Sequence, residues 1–212
     1  MRETGLALYP SLSDYVSDLW LVPESITSER TSALQRLADF IGRRNGAGEA
    51  ALLVFICTHN SRRSQLAQVW AETAARLHGA PGVRAFSGGT EATAVEPRAV
   101  AALERAGFSA ERLDDSDNPV YRIRSGDDGE PVDCFSKVFD RPPNPTTGFA
   151  AVMTCSAADM ACPVVAGAAE RIALPFDDPG ALDDTDREIE AYDACCRRIA
   201  RDMLFALSLV PT

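Results

Sequence analysis

The 212-residue sequence has no CxxC pair, no apolar run of membrane-spanning length and too few basic residues to balance its acids. Its six cysteines (Cys57, Cys134, Cys155, Cys162, Cys195 and Cys196) lack the paired spacing of a structural zinc site, so no metal is expected. Lysine and arginine number 21 against 31 aspartates and glutamates, a net charge of -10. Nucleic-acid backbones are held by basic patches, so nucleic acid is not the expected partner. Residues 1–10 hold no signal-like apolar run, and nothing approaches the roughly 20 apolar residues of a spanning helix. A cytoplasmic protein with no membrane association is expected. In that reducing compartment the cysteines read as buried thiols, ligands or redox groups and not as a disulfide framework.

Hydrophobic residues make up 46% of the chain, enough to bury the core of one α/β domain without staples. Leu34, Leu37, Ala38 and Ile41 recur at helical spacing after Ser28 and Thr31, with Asn45, Gly46 and Gly48 closing the pattern. Tyr15, Leu19 and Trp20 suggest a shorter helix before it. Residues 1–48 thus read as a helical extension packed on a main domain at 49–212. The run Ala51 to Ile56 is continuously apolar, the pattern of a strand buried on both faces of a parallel sheet. A polar loop follows, then Leu66, Ala67, Trp70, Ala71, Ala74 and Leu77 mark one helix face up to Gly79. A second strand is expected at Val83 to Ser87 and a helix from Pro97 to Gly107. Strands follow at Phe149 to Thr154 and Arg171 to Leu174. A last helix is expected to open at Thr185, with Glu188 completing a capping box. Its apolar stripe would be Ile189, Tyr192, Cys196, Ile199, Met203, Ala206 and Val210. Between Leu113 and Gly148 the patterning fails, giving an irregular insertion that reads equally as a lid or as a surface excursion.

Chemistry concentrates in Cys57-Thr58-His59-Asn60-Ser61-Arg62-Arg63-Ser64, between the first strand and its helix. A loop there can point successive backbone N–H groups inward while the helix adds the positive end of its dipole. Residues 58–64 would then cradle a small oxyanion. The nest stabilises the thiolate of Cys57 and makes it a nucleophile. Arg63 can grip two anion oxygens with its planar fork, and Ser64 can donate to the sulfur. Displacing an oxygen from phosphate or arsenate requires a proton for the leaving group. Asp178, in Asp177-Asp178-Pro179 after the fourth strand, sits where a doubly wound sheet would bring it to face the thiolate.

Taken together, residues 51–210 resemble the low-molecular-weight protein tyrosine phosphatase family, with the 57–64 loop and Asp178-Pro179 as signatures. The resemblance implies a four-stranded parallel sheet of order 2-1-3-4 flanked by helices. It also implies that Asn60 braces the loop with Ser87 of the Ser87-Gly88-Gly89-Thr90 turn. Within that superfamily the chain is most similar to the thioredoxin-coupled arsenate reductases: Gln65 follows the loop, Gly180-Ala181 follows Asp-Pro, and Met153-Thr154-Cys155 precedes Cys162-Pro163. That likeness implies a relay in which Cys57 attacks arsenate, Cys155 resolves the adduct, and Cys162 receives the disulfide. An external thiol reductant such as thioredoxin then reduces it, and no bound cofactor is required. Some relatives hold a monovalent cation behind the loop. His59 stands where phosphatases carry glycine, and histidine tolerates unusual backbone angles better than most residues. Arg62 stands where many members carry a second loop cysteine. For Cys155 and Cys162 the plain alternative is two buried core thiols. Cys134 reads as a bystander, Cys195 and Cys196 as core residues, and His78 as a helix-end cap.

Three functions fit this reading. The leading one is arsenate reduction through Cys57, Cys155 and Cys162, with phosphate or sulfate competing for the cradle. The second is a phosphatase acting on phosphotyrosine or a small ester through Cys57, Arg63 and Asp178 alone. The third is a redox or oxyanion sensor without turnover, for which a retained general acid has no use.

Overall fold

A computed structural model describes residues 7–21, 26–80, 82–162 and 164–211. Three features of the sequence reading, namely the chain before residue 7, the Trp20 side chain and Pro163, lie outside the described residues. In chain order the elements are α1 (Pro10–Leu21), α2 (Ser28–Gly46), β1 (Ala51–Cys57), α3 (Arg63–Leu77), β2 (Val83–Gly89) and α4 (Pro97–Arg105). There follow β3 (Ser109–Arg112), β4 (Tyr121–Arg124), β5 (Val132–Cys134), β6 (Phe149–Met153), α5 (Ser156–Ala161), β7 (Ala168–Ala173) and α6 (Glu188–Ser208).

The central sheet is parallel, ordered β2-β1-β6-β7, which is 2-1-3-4 counted along its own strands. Its inner strand β1 shows why an unbroken apolar run was needed. Leu53 and Phe55 enter the larger core beneath α3 and α6, while Val54, Ile56 and Cys57 enter a smaller one with Phe149, Met153 and Cys155 on the other face. Both faces are sealed, so alternation with polar residues has no place. Burying one such side chain is worth roughly 1.5–3 kcal/mol.

The N-terminal helices are integral to the larger core. Helix α2 packs on α6, β7 and β1 through the buried Leu34, Leu37 and Ile41, and Arg30 pairs with the buried Asp202 at 2.5 Å. Helix α1 inserts Leu12, and Tyr15 stacks on Trp70 at 5.8 Å between ring centres. The cap of α2 is Thr27, whose hydroxyl accepts from Arg30 N–H, one residue before the expected start.

Three expectations are corrected. Residues 113–148 are not irregular throughout: they carry the short strands β4 and β5, which with β3 form an antiparallel sheet ordered β3-β4-β5. Arg122 faces Asp133 across the β4–β5 pair at 2.8 Å, while Ile123 and Cys134 turn into the core. Strands of three and four residues with charged outer faces leave too little periodicity to be read from sequence. The last helix begins at Glu188 and not at Thr185. A 3-10 turn at Pro179–Leu182 and a left-handed Asp184 (φ 62°) consume the intervening chain, and Glu188 accepts from Asp184 N–H instead of closing a box with Thr185. The buried stripe therefore starts at Tyr192, and Ile189 is 60% exposed. Strand β7 starts at Ala168, three residues before the expected Arg171.

Beyond β5 the chain returns along β2. Gly89 N–H donates to the Lys137 carbonyl and Phe139 N–H to the Gly89 carbonyl, a parallel bridge between Gly89 and Val138. At Gly88 a Cβ would lie 2.3 Å from Phe139 Cα, so only glycine admits this contact.

Candidate functional site

Six consecutive carbonyls of the loop, from Cys57 to Arg62, have hydrogen-bond partners outside it. Cys57 and Thr58 accept from Thr90 and Glu91 N–H, at 3.1 and 2.8 Å. His59 accepts from Ser136 Oγ (2.9 Å) and Asn60 from Gln65 Nε2 (2.9 Å). Ser61 and Arg62 accept from Glu96 and Leu66 N–H, each at 3.0 Å. In a trans peptide the N–H points opposite to the preceding carbonyl. Carbonyls turned outward therefore leave the amides of residues 58–63 facing the Cys57 side of the loop, a nest opening onto the N-terminus of α3.

The supports of this turn are side chains. Asn60 takes the left-handed conformation (φ 48°), which asparagine tolerates. The unusual backbone expected at His59 is thus at the next residue. Asn60 Nδ2 donates to Ser64 Oγ at 2.8 Å, and Ser64 Oγ lies 3.1 Å from Cys57 Sγ. Asn60 Oδ1 accepts from Lys137 N–H at 3.0 Å. Among the described residues no hydrogen bond joins Ser87 to Asn60. Ser87 donates to Gln65 Oε1 (3.2 Å), and Gln65 in turn holds the Asn60 and Phe135 carbonyls, so the expected brace is one residue longer.

Two of these groups escaped the sequence reading: Gln65 as a brace, and Lys137. Lys137 is buried, its Nζ 3.4 Å from Ser87 Oγ and from the Phe135 carbonyl and 4.4 Å from the centre of the Phe135 ring. Burial pulls its pKa down to about 8, opposed by the neighbouring Cys134. The Lys137 ammonium places a positive charge beside Ser87 and the Phe135 carbonyl, behind the loop. A stretch without recognisable pattern gave no signal for Lys137.

Arg63 and Asp178 are brought together. Arg63 Nη2 donates to Asp178 Oδ2 at 2.5 Å and Nη1 to the Phe176 carbonyl at 2.9 Å. Its Nε is buried and has no hydrogen-bond partner among the described residues. Asp178 Oδ1 accepts from Gly180 N–H at 3.1 Å, capping the 3-10 turn. Cys57, His59, Ser61, Arg62, Arg63 and Asp178 line a cleft, but with Arg63 drawn onto Asp178 its free volume is about 10 Å³. That is room for about one water. Arg62, expected among the oxyanion-binding residues, turns its side chain away to Tyr192, Asp183 and Glu96. His59 is half exposed, 3.9 Å from Glu91.

Cys155 lies at the end of β6, buried, with Sγ 3.6 Å from Thr58 Oγ1. It caps α5 by accepting from Ala158 N–H, and Cys162, partly exposed, ends the same helix. Burial lifts the thiols of Cys134, Cys195 and Cys196 to about 12, which keeps them protonated. His78 ends α3 as its capping residue. Among the described residues no group of three His, Cys, Asp or Glu could hold a metal, and no helix is long and apolar enough to cross a membrane.

No protein-family model and no curated protein sequence matches the chain, whereas solved structures do. The α/β architecture is shared, as a fold, with solved structures among which is an arsenate reductase. In particular the chain is similar to an arsenate reductase solved in the phosphate-binding state, at 17% identity and a TM-score of 0.50, over 76% of this chain and 99% of that one. A low-molecular-weight phosphotyrosine phosphatase from Vibrio cholerae gives 15% and 0.48, over 74% and 94%. The thioredoxin-dependent arsenate reductase of Corynebacterium glutamicum gives 18% and 0.40, over 89% and 80%. At such identities the likeness is one of fold.

Proposed function

We propose that the protein is a cytoplasmic arsenate reductase that uses Cys57 as nucleophile, Asp178 as proton donor and an external dithiol of the thioredoxin type as reductant. The carrying observation is the loop with six outward carbonyls around Cys57 Sγ, joined by a buried Arg63 Nε that has no hydrogen-bond partner among the described residues. The solved relative that binds phosphate is itself an arsenate reductase, which supports an oxyanion of that shape as substrate.

When the anion enters, Arg63 swings from Asp178 and grips two of its oxygens. The Cys57 thiolate displaces one oxygen, which leaves as water with the proton of Asp178, and a sulfur–arsenic(V) bond forms. Ser64 and the Asn60 amide above it steady the sulfur. Cys155 then attacks Cys57 Sγ. The sulfur–sulfur bond forms, the sulfur–arsenic pair of electrons stays on arsenic, and arsenite leaves. Cys162 attacks Cys155 and expels the Cys57 thiolate, and the external dithiol reduces the Cys155–Cys162 bond.

What favours reduction over simple ester hydrolysis is Cys155, seated against Thr58 of the loop, with Cys162 at the far end of a six-residue helix. A phosphatase needs neither. Seven steps of chain along α5 separate the two by about 10 Å along the axis, beyond the reach of a disulfide, so α5 must unwind as the relay proceeds. The test is incubation with arsenate and a thioredoxin system, arsenite being measured and disulfides mapped by mass spectrometry. Wild type should release arsenite and accumulate a Cys155–Cys162 bond when reductant is withheld. Cys162→Ser should stop after one turnover with Cys57 bonded to Cys155. Sustained turnover in Cys155→Ser, or aryl phosphate hydrolysis without arsenite, sinks the reading in favour of a phosphatase.

A further inference from the structure

We propose that Arg62 is a positioning residue that clamps the segment carrying Asp178 to the Cys57 loop and keeps it in place while Arg63 changes partners. The inference rests on the reading of Asp178 as proton donor, and it begins with a conflict in Arg63. That guanidinium is bound to Asp178 at 2.5 Å and to the Phe176 carbonyl at 2.9 Å, at the edge of the cleft beside Cys57. For Arg63 to grip an anion with its fork, it must let go of these two partners. Once it does, Asp178 and Phe176 lose the two bonds that tie them to the loop, at the moment when Asp178 must face the leaving oxygen.

Arg62 supplies the tie that remains. Its Nε donates to Tyr192 Oη at 2.8 Å and its Nη2 to Asp183 Oδ2 at 2.9 Å, while Tyr192 Oη donates to Asp183 Oδ1 at 2.8 Å. The three side chains close a ring joining the loop, the 3-10 turn after Asp178 and helix α6. The guanidinium also lies flat against Gly180. A Cβ there would come within 2.7 Å of Arg62 Cζ and 3.0 Å of its Nε. Gly180 N–H is the donor to Asp178 Oδ1. The plane of Arg62 thus rests on the residue that aims the carboxylate. A third contact, to Glu96 at 3.4 Å, reaches the cap of α4, whose own N–H holds the Ser61 carbonyl. None of Arg62's side-chain bonds needs to break when an anion arrives. Adjacent arginines therefore divide the work, one mobile and one fixed.

The test uses Arg62→Met and Gly180→Ala, the latter displacing the guanidinium without removing it. Three measurements are made: arsenate turnover, sulfate protection of Cys57 against iodoacetamide, and hydrogen exchange of the Gly180, Ala181 and Asp183 amides. The expected result is a fall in kcat on the order of 10- to 100-fold, sulfate protection within about twofold of wild type, and faster exchange at those amides. Because Arg62 acts through Asp178, Arg62→Met should add nothing further in an Asp178→Asn background. Lost sulfate protection would make Arg62 an anion ligand. Unchanged exchange, or a kcat loss that adds to that of Asp178→Asn, would also overturn the clamp. If wild type reduces no arsenate the proposed function falls, and the exchange measurement still decides the clamp.

Discussion

Lys137 places an ammonium group behind the Cys57 loop, where burial brings its pKa to about 8 from the ordinary 10.5. Below pH 8 both the folded and unfolded chains carry the charge, and the full burial cost is present. Between 8 and 10.5 the unfolded chain binds a proton that the folded one lacks, so this group's contribution to stability rises with pH across that window. Function moves the other way, since the positive charge that favours an anion fades as pH passes 8. Titration calorimetry with sulfate, whose own charge is constant here, should show affinity falling several-fold between pH 7 and 9. Lys137→Met should bind weakly at pH 7 and lack the step. A wild-type profile flat across pH 8 would remove Lys137 from the site. At this scale the grouping of Cys57, Arg63 and Asp178 in one cleft was legible, because it follows from their spacing and placement. Lys137 and Tyr192 were not, because each reaches the site from a distant element.

Among the elements, α5 is the least self-sufficient. Six residues form little more than one turn, and isolated short helices are marginal in water. Only tertiary contacts hold it, among them Arg171, which bonds the Asp159 carboxylate at 2.6 Å and the Cys162 carbonyl at 3.0 Å. The Asp159 and Cys162 amides, protected by Cys155 and Ala158 carbonyls in the reduced protein, should exchange freely once the Cys155–Cys162 bond forms. Retained protection in the oxidised protein would mean that the helix does not open. The β3-β4-β5 sheet lies at the opposite extreme: its strands were illegible, yet it delivers Ser136 and Lys137 to the loop. Its inward anchor is Ile123, 1% exposed. Ile123→Ala should lower unfolding stability by about 2–4 kcal/mol in urea, with weaker sulfate binding as the insertion loosens. The long helices and parallel strands were readable because each carries several buried residues at a regular period. The start of α6 was not, because Thr185 and Glu188 imitate a box that the left-handed Asp184 prevents.

Across the whole molecule, the N-terminal helices and the sheet share one hydrophobic core. Leu37, fully buried in α2, should cost about 2–5 kcal/mol when cut to alanine. Unfolding followed by far-ultraviolet dichroism and by tryptophan fluorescence should give coincident transitions, as one cooperative unit requires. Separate transitions would show that α1 and α2 stand apart from the rest. The apolar runs located the parallel strands, and their order came from the family resemblance alone. How α1 and α2 seat on α3 and α6 depended on contacts such as Tyr15 on Trp70, which no periodicity announces.

Strand β2 is one border of the parallel sheet, and several of its outward backbone groups are already engaged. Glu72 accepts from Ala85 N–H, Asn144 donates to the Ser87 carbonyl, and the Gly89–Val138 bridge closes the end. Pruning the returning chain from 136 to 145 would uncover a ready template for strand addition. The shortened protein would then meet copies of itself before it met substrate, and its failure would be seen as fibres or precipitate.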